Sequence, residues 1–327
     1  MNQPSEQELP VSTSNQESFL RDVLRGLYSE PKFLQSKYFY DAEGDKLFQK
    51  IMRLPEYYLT GCESEILRNN CPGIAGVFKR FASGFDLIEL GAGDASKSSI
   101  LLEYLLNEGI DFTYYPTDIS EHVVKLVEKN LPHKFPYLKV RGLTGEFLAA
   151  LSEASCISQK PKVVMFLGSN IGNMPPHDAL EFCKNVKNHL ETGDLALIGF
   201  DLKKNPRVIF DAYNDSQGIT KKFNLNLLDR INRELQANFL TEKFDHYESY
   251  DPETGACKSY LFSLKKQSVS IAGVELSFNE NEYIYMETSH KYTTDQINEL
   301  SLKAGFKPVA QFFDSKNWFT DVVWERL

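Results

Sequence analysis

From about residue 81 onward, short apolar runs alternate with longer stretches in which apolar side chains recur every three or four positions. The runs "FDLIEL" (85–90), "DFTYYPTD" (111–118), "YLKVRGL" (137–143), "KVVMFLG" (162–168) and "DLALIGFDL" (194–202) have the length and content of strands. Between them, "KSSILLEYLL", "EHVVKLVEKNL" and "HDALEFCKNVKNHL" carry helical spacing. Such alternation predicts right-handed crossovers and a parallel sheet with helices on both faces, that is, a doubly wound α/β domain.

Before residue 81 the pattern is helical: "ESFLRDVLRGLYSEP", "GDKLFQKIMRLPEYY" and "CESEILRNNCPGIAGVFKRF" all show three- and four-residue spacing. After Asp201 the rhythm breaks, and the chain to about residue 283 mixes a helix, "NLNLLDRINRELQ", with extended runs around "KSYLFSLKKQSVSIAG". Alternation resumes with the strand "IYMETSHKY" (284–292), the helix "TTDQINELSLKAGF" and a terminal strand pair, "KPVAQFFDS" and "FTDVVWERL". The predicted organisation is a loose tail over 1–14 and a core built from 81–201 and 284–327. A second domain is expected from the helices of 15–80 and an insertion, 202–283. In "IYMETSHKY", Glu287 and Ser289 stand two positions apart and share a strand face with Tyr285.

Composition narrows the partners. Hydrophobic residues make up 42% and charged residues 25% of the 327, which is ordinary for a folded protein with a sizeable core. A net charge of −9 argues against nucleic acid, whose binding draws on clustered Lys and Arg. The five cysteines, Cys62, Cys71, Cys156, Cys183 and Cys257, are scattered without zinc spacing, so neither a metal nor a disulfide framework is signalled. The amino terminus lacks the apolar core of a secretory signal, and no apolar run approaches the ~20 residues of a membrane span. A cytoplasmic protein without membrane attachment is expected.

The stretch "ELGAGDASKSS" (89–99) follows the first strand and opens a helix, where a doubly wound sheet binds the polar part of a nucleotide-like cofactor. Gly91 and Gly93 permit a tight turn and close approach of a ligand. Ser96 occupies the place of the third glycine of a dinucleotide fingerprint, which counts against NAD. Glu89 and Asp94 favour a cationic or zwitterionic cofactor over a diphosphate, and S-adenosylmethionine fits. Asp118, ending the second strand, stands where a carboxylate accepts ribose hydroxyls, or else serves as an acid at the start of the next helix. Glu146 and Phe147, beyond the third strand, are candidates for closing an adenine site.

Several ordered strings, "YFYDAEGDKLFQKIMRLPEYYLTGCESEIL", "ELGAGDASKS", "FLGSNIGN", "FDLKKNP", "AYNDSQGITKKFNLNLLDRINREL" and "ETSHKY", resemble the histidine-specific, S-adenosylmethionine-dependent methyltransferase family. Its best-known members make trimethylhistidine, hercynine, for ergothioneine biosynthesis. The resemblance runs from about residue 17 to the end and implies a class I methyltransferase sheet with a second, substrate-binding domain. It implies cofactor contacts from Gly91, Lys97, Asp118, Glu146 and Phe147. For the amino acid it implies Tyr40, Tyr57, Gly168, Asn173, Tyr213, Glu287 and Ser289, with Tyr58 an alternative match for Tyr57. In that arrangement Glu287 and Ser289 face the imidazole, Asn173 and Tyr213 hold the carboxylate, Tyr40 lies near the amine and Tyr57 borders the ring.

Methyl transfer to an amine is an in-line displacement, so the task implied is to hold a neutral nitrogen lone pair opposite the leaving sulfur. A protonated amine must first lose a proton, with Tyr40 or a bound water as its relay. A metal is not needed for this step, and a monomer acting on free L-histidine is the expected assembly. Two other readings stay open at this point: the same chemistry on another amino acid, and a cofactor-binding protein without this activity.

Overall fold

The computed structural model describes residues 15–327, and the tail expected over 1–14 lies outside the described residues. The chain divides into two compact units. The larger contains 55–209, 250–257 and 288–327; the smaller contains the described residues up to 54 together with 210–249 and 258–287.

In the larger unit the core strands are β1 (Phe85–Leu90), β2 (Phe112–Asp118), β3 (Lys139–Val140), β4 (Lys162–Phe166), β5 (Leu195–Asp201), β6 (Phe306–Phe313) and β7 (Phe319–Arg326). They lie in the order β6-β7-β5-β4-β1-β2-β3, with Leu143–Thr144 paired beside β2 as an eighth strand. Pairing is parallel from β3 through β5 and antiparallel where β7 meets β5 and β6. All residues of β1, β4 and β5 are buried, which is why these strands read as unbroken apolar runs. The order reverses on either side of β1, and such a reversal opens a crevice at the carboxyl ends of the strands.

Several boundaries differ from the expected ones, among them the start of the insertion, since 202–209 fall in the larger unit. The helix Tyr58–Phe78 belongs to the larger unit, because Leu67, Cys71, Ile74, Ala75 and Phe78 pack in one cluster with Phe85, Leu87, Leu101 and Val323. Residues 250–257 also belong there: Lys291 N–H donates to the Gly255 carbonyl at 2.8 Å and Lys203 Nζ to the Glu253 carbonyl at 2.7 Å. The strand Tyr283–His290 is absent from the core sheet. It lies instead in a four-stranded sheet, between Lys32–Phe33 and Ala256–Ser263, with Phe244–Tyr250 outermost. Lys32 and Phe33 pair with Ile284 and Tyr285, a partnership across some 250 positions that no local pattern encodes.

The smaller unit is built around helices Ala42–Ile51 and Ile219–Leu235. Asp41 joins them. Its Oδ1 caps the first helix by accepting Gly44 N–H at 2.7 Å and also accepts Asn226 Nδ2 at 2.8 Å, while Arg233 pairs with Oδ2. Phe39 packs on Phe223 with ring centres 4.8 Å apart. No helix among the described residues is long and apolar enough to cross a membrane.

Candidate active site

Chemistry-bearing residues of the larger unit gather at the carboxyl ends of β1, β2, β4 and β5 and at the adjoining amino end of the antiparallel β7. The turn after β1 folds back at once: Gly91 and Ala92 N–H groups both donate to the Thr117 carbonyl at 2.9 Å. Gly91 has φ +72°, and a β-carbon there would come within 3.2 Å of the Phe147 ring. Asp118 braces the turn from the neighbouring strand, its Oδ2 accepting Gly93 N–H at 3.3 Å and its Oδ1 accepting Ser120 N–H at 3.0 Å. The helix Glu121–Lys134 is capped by Ser120 rather than by Asp118, since Ser120 Oγ accepts Val123 N–H at 3.4 Å.

Phe147 opens the helix Phe147–Ile157, and its ring meets Phe166 edge-on with centres 5.2 Å apart. Glu146, one residue earlier, is exposed and makes no side-chain cap. The Lys97 ammonium lies 3.4 Å from the point where a β-carbon on Gly168 would sit, so it faces the left-handed turn after β4. Gly91 thus lies against Phe147, Lys97 against Gly168, and Asp118 against Gly93.

Glu89, which with Asp94 favoured a cationic cofactor, is 3% exposed, and the Tyr114 hydroxyl donates to its carboxylate. Burial raises its pKa to about 7; Tyr114, Ser98 and Lys97 moderate the rise and Glu63 adds to it. Asp94 is exposed and accepts Ser96 N–H at 3.0 Å, a local turn contact.

Glu63 was missed. It is fully buried on the helix Tyr58–Phe78, accepts Gly168 N–H at 2.7 Å and 3.0 Å, and ion-pairs with Lys97. A β-carbon on Gly199 would lie 2.3 Å from Glu63 and 3.1 Å from Asp321, so only glycine leaves room for these two carboxyl groups. Burial, and then Glu63, hold the Asp321 carboxyl well above the ordinary carboxylate range. The signal was present in the sequence: Glu63 falls on the apolar stripe of Leu59, Cys62, Ile66 and Leu67, and Asp321 interrupts the apolar run of β7.

A second buried ionic group surrounds Asp201 at the end of β5. Its Oδ2 accepts the Tyr58 hydroxyl and Lys291 Nζ, each at 2.8 Å, and Lys204 pairs with Oδ1. Burial alone would raise the Asp201 pKa, but Lys291 and Lys204 outweigh it and the carboxyl stays below its usual range. Tyr58 is therefore committed to this group, and Tyr57, half-buried before the helix, acts electrostatically on Lys291. Ser289 is buried and its Oγ accepts Lys291 Nζ at 2.7 Å. Asn173 is exposed at the end of the short 3-10 turn Asn170–Asn173.

Tyr40, Tyr213 and Glu287 belong to the smaller unit. Tyr40 is 39% exposed and packs edge-on against Phe48 and Phe223, with centres 5.6 Å and 5.8 Å apart. Tyr213 ends the helix Pro206–Tyr213, half-buried. Glu287, also half-buried, alternates along its strand with buried Ile284, Met286 and Thr288, on the side of Tyr283 and Tyr285.

Comparison with known proteins extends over nearly the whole chain. A family model described as "Histidine-specific methyltransferase, SAM-dependent" matches residues 19–326. The chain is 32% identical over 314 residues to the histidine N-alpha-methyltransferase of Mycolicibacterium smegmatis, covering 95% of this chain and 94% of that one. It is 29% identical over 285 residues to ergothioneine biosynthesis protein 1 of Schizosaccharomyces pombe, covering 85% of this chain and 37% of that one. It is also 27% identical over 324 residues to 4-dimethylallyltryptophan N-methyltransferase of Claviceps purpurea, covering 91% and 93%. The observed strand order is the class I methyltransferase sheet that the sequence led us to expect.

Proposed function

This chain belongs to the histidine-specific, S-adenosylmethionine-dependent methyltransferase family, and from that premise we propose that it methylates the α-amino nitrogen of L-histidine, up to the trimethylated product, hercynine, in ergothioneine biosynthesis. The observation that carries the reading is a match across both units to a histidine N-alpha-methyltransferase, joined to a turn whose chemistry suits the cofactor.

The turn after β1 fits S-adenosylmethionine on its own geometry. Gly91 keeps the backbone open beside the Phe147 ring, which can wall an adenine; Lys97 supplies a cation for a carboxylate; Asp118, half-exposed at the end of β2, offers an acceptor for ribose hydroxyls. Glu146, exposed at the head of the Phe147 helix, is assigned to the same adenine end. When bound, the cofactor supplies an electrophilic methyl group on a sulfonium. Glu63 holds Lys97 and the Gly168 N–H in fixed geometry, and so braces the methionine end.

For the amino acid we assign Asn173 and Tyr213 to the carboxylate, Gly168 and Tyr57 to the reacting end, and Glu287 with Ser289 to the imidazole. Tyr40 lies at the amine, where its hydroxyl or a bound water takes the proton that an aminium must lose before attack. Aromatic faces near the nitrogen offset the hydration lost as methyls accumulate. The five cysteines form no disulfide among the described residues, which suits a reducing compartment, and we place the enzyme in the cytoplasm as a monomer.

The likeness to a dimethylallyltryptophan enzyme favours one second reading, the same transfer to another amino acid. Purified protein with labelled S-adenosylmethionine and each common amino acid singly separates the two. Label in mono-, di- and trimethylhistidine is expected; transfer to tryptophan with none to histidine overturns the histidine assignment.

A further inference from the structure

We propose that Tyr58 is a positioning residue for the amino-acid site: its side chain anchors the start of the helix Tyr58–Phe78 and thereby fixes Tyr57, the residue before it. The inference rests on the reading above, which assigns Tyr57 to the amino acid, and adds the device that holds Tyr57 in place.

A helix leaves its first N–H groups without partners inside the helix, and a polar side chain at the capping position ordinarily satisfies one of them. This helix starts differently. Tyr57 occupies the capping position without a side-chain cap bond, and no acidic residue stands in the first turn to complement the helix dipole. The Tyr58 side chain supplies the anchor instead. Its ring meets that of Trp318 edge-on with centres 5.4 Å apart, and Lys204 Nζ lies 4.1 Å from the centre of the same ring. Its hydroxyl accepts from Lys204 Nζ and donates to Asp201 Oδ2, each at 2.8 Å. The hydroxyl is thus used both as donor and as acceptor, which phenylalanine cannot reproduce.

Asp201 is a firm point of attachment. It ends β5, is fully buried, pairs in the sheet with Phe319 and also holds Lys291 and Lys204. Tyr57 lies one peptide step from this attachment and acts electrostatically on Lys291 of the same ionic group. Further along the helix, Glu63 accepts Gly168 N–H and pairs with Lys97. The two polar anchors of the helix therefore divide the work: Glu63 serves the cofactor side and Tyr58 the amino-acid side. A residue that only stapled the fold would matter for stability and would not separate the two ligands.

The test is a double-mutant cycle of Tyr57→Ala and Tyr58→Phe, reading KM and kcat for histidine, with calorimetric S-adenosylmethionine affinity as the control for folding. Tyr58→Phe keeps a ring against Trp318 and Lys204 and leaves Asp201 paired with Lys204 and Lys291, so this variant is expected to fold. It should raise KM about tenfold, a loss of positioning, with cofactor affinity unchanged. In the Tyr57→Ala background it should add no further rise. An equal rise in both backgrounds, or no rise in either, overturns the proposal while leaving histidine as substrate. Cofactor affinity that falls in step with the rise in KM also overturns it, since Tyr58 would then support the whole unit. Lys204→Met gives an independent arm, because it removes one partner of the hydroxyl and leaves Lys291 with Asp201. A smaller rise in KM, absent in the Tyr57→Ala background, is expected; wild-type KM, or a rise that persists in that background, overturns the proposal. Failure of the histidine reading shows separately, as wild-type protein that does not turn histidine over at all.

Discussion

Replacing Glu89 by Gln should stabilise the larger unit, and the gain should grow with pH. Glu89 is buried at the end of β1 with a pKa raised from 4.5 to about 7. A carboxyl raised in the folded state favours folding least where it must ionise: the cost is absent below 4.5, builds through the window and is complete above 7. At about 1.4 kcal/mol per pKa unit, the full cost is about 3 kcal/mol near pH 8 and about 1 kcal/mol near pH 5. Glutamine keeps the acceptor for the Tyr114 hydroxyl and carries no charge, so it escapes the cost at every pH. Trp318 and Trp324, the two tryptophans of the chain, both lie in this unit, so urea unfolding followed by their fluorescence reports it specifically. The difference between Glu89→Gln and wild type should therefore widen by about 2 kcal/mol between pH 5 and pH 8. A difference that stays flat, or that shrinks with rising pH, would refute the argument that burial governs this group.

Asp118→Ala should weaken S-adenosylmethionine binding by about 1.5–3 kcal/mol, the range for a hydrogen bond to a charged group, and isothermal calorimetry on the folded variant checks it. Unchanged affinity would leave Asp118 as a brace of the Gly93 turn alone. Glu287→Ala should lower kcat/KM for histidine far more than it lowers cofactor affinity, and should narrow the gap between histidine and phenylalanine. A variant that keeps the wild-type histidine rate shows that Glu287 does not touch the ring.

The core sheet was legible because its strands are buried on both faces, which turns topology into unbroken apolar runs; β1, β4 and β5 lie within a residue or two of where the runs placed them. The strand carrying Glu287 was legible as a strand but not as a member of its sheet. Alternation shows which side chains share a face, whereas pairing with Lys32–Phe33 is set by distant chain. For the same reason the helix Tyr58–Phe78 joined the wrong unit: a helical stripe reports that a face is buried and says nothing of what buries it. Lys97 was named only through the family resemblance, but Gly91 and Asp118 were legible as candidates because a turn after a strand has a local signature. Glu63 and Lys291 were not, because a buried charge is defined by a partner that sequence spacing does not reveal.

Two kinds of buried charge in the larger unit can be contrasted, and the contrast bears on what they do. At the amino ends of the strands, Asp194 accepts N–H groups of Lys162 at 2.9 Å and Glu191 at 2.8 Å, while Lys162 Nζ donates to the carbonyls of Ser158 and Lys160. These are mostly short-range bonds that satisfy backbone where the chain turns, a structural duty. At the carboxyl ends, side chains pair with side chains over long separations: Glu63 with Lys97 across 34 positions, Tyr58 with Asp201 across 143. Buried pairs of this second kind rarely add stability over apolar packing, because two ions must leave water before they attract. Nor do they close the local turns that Asp194 closes. What they do is hold Lys97, Gly168 and Ser289 rigidly at the crevice side of the sheet. A sheet that confines its costly long-range charge pairs to that one edge has traded stability for preorganisation there, which is what an in-line transfer between two positioned small molecules requires.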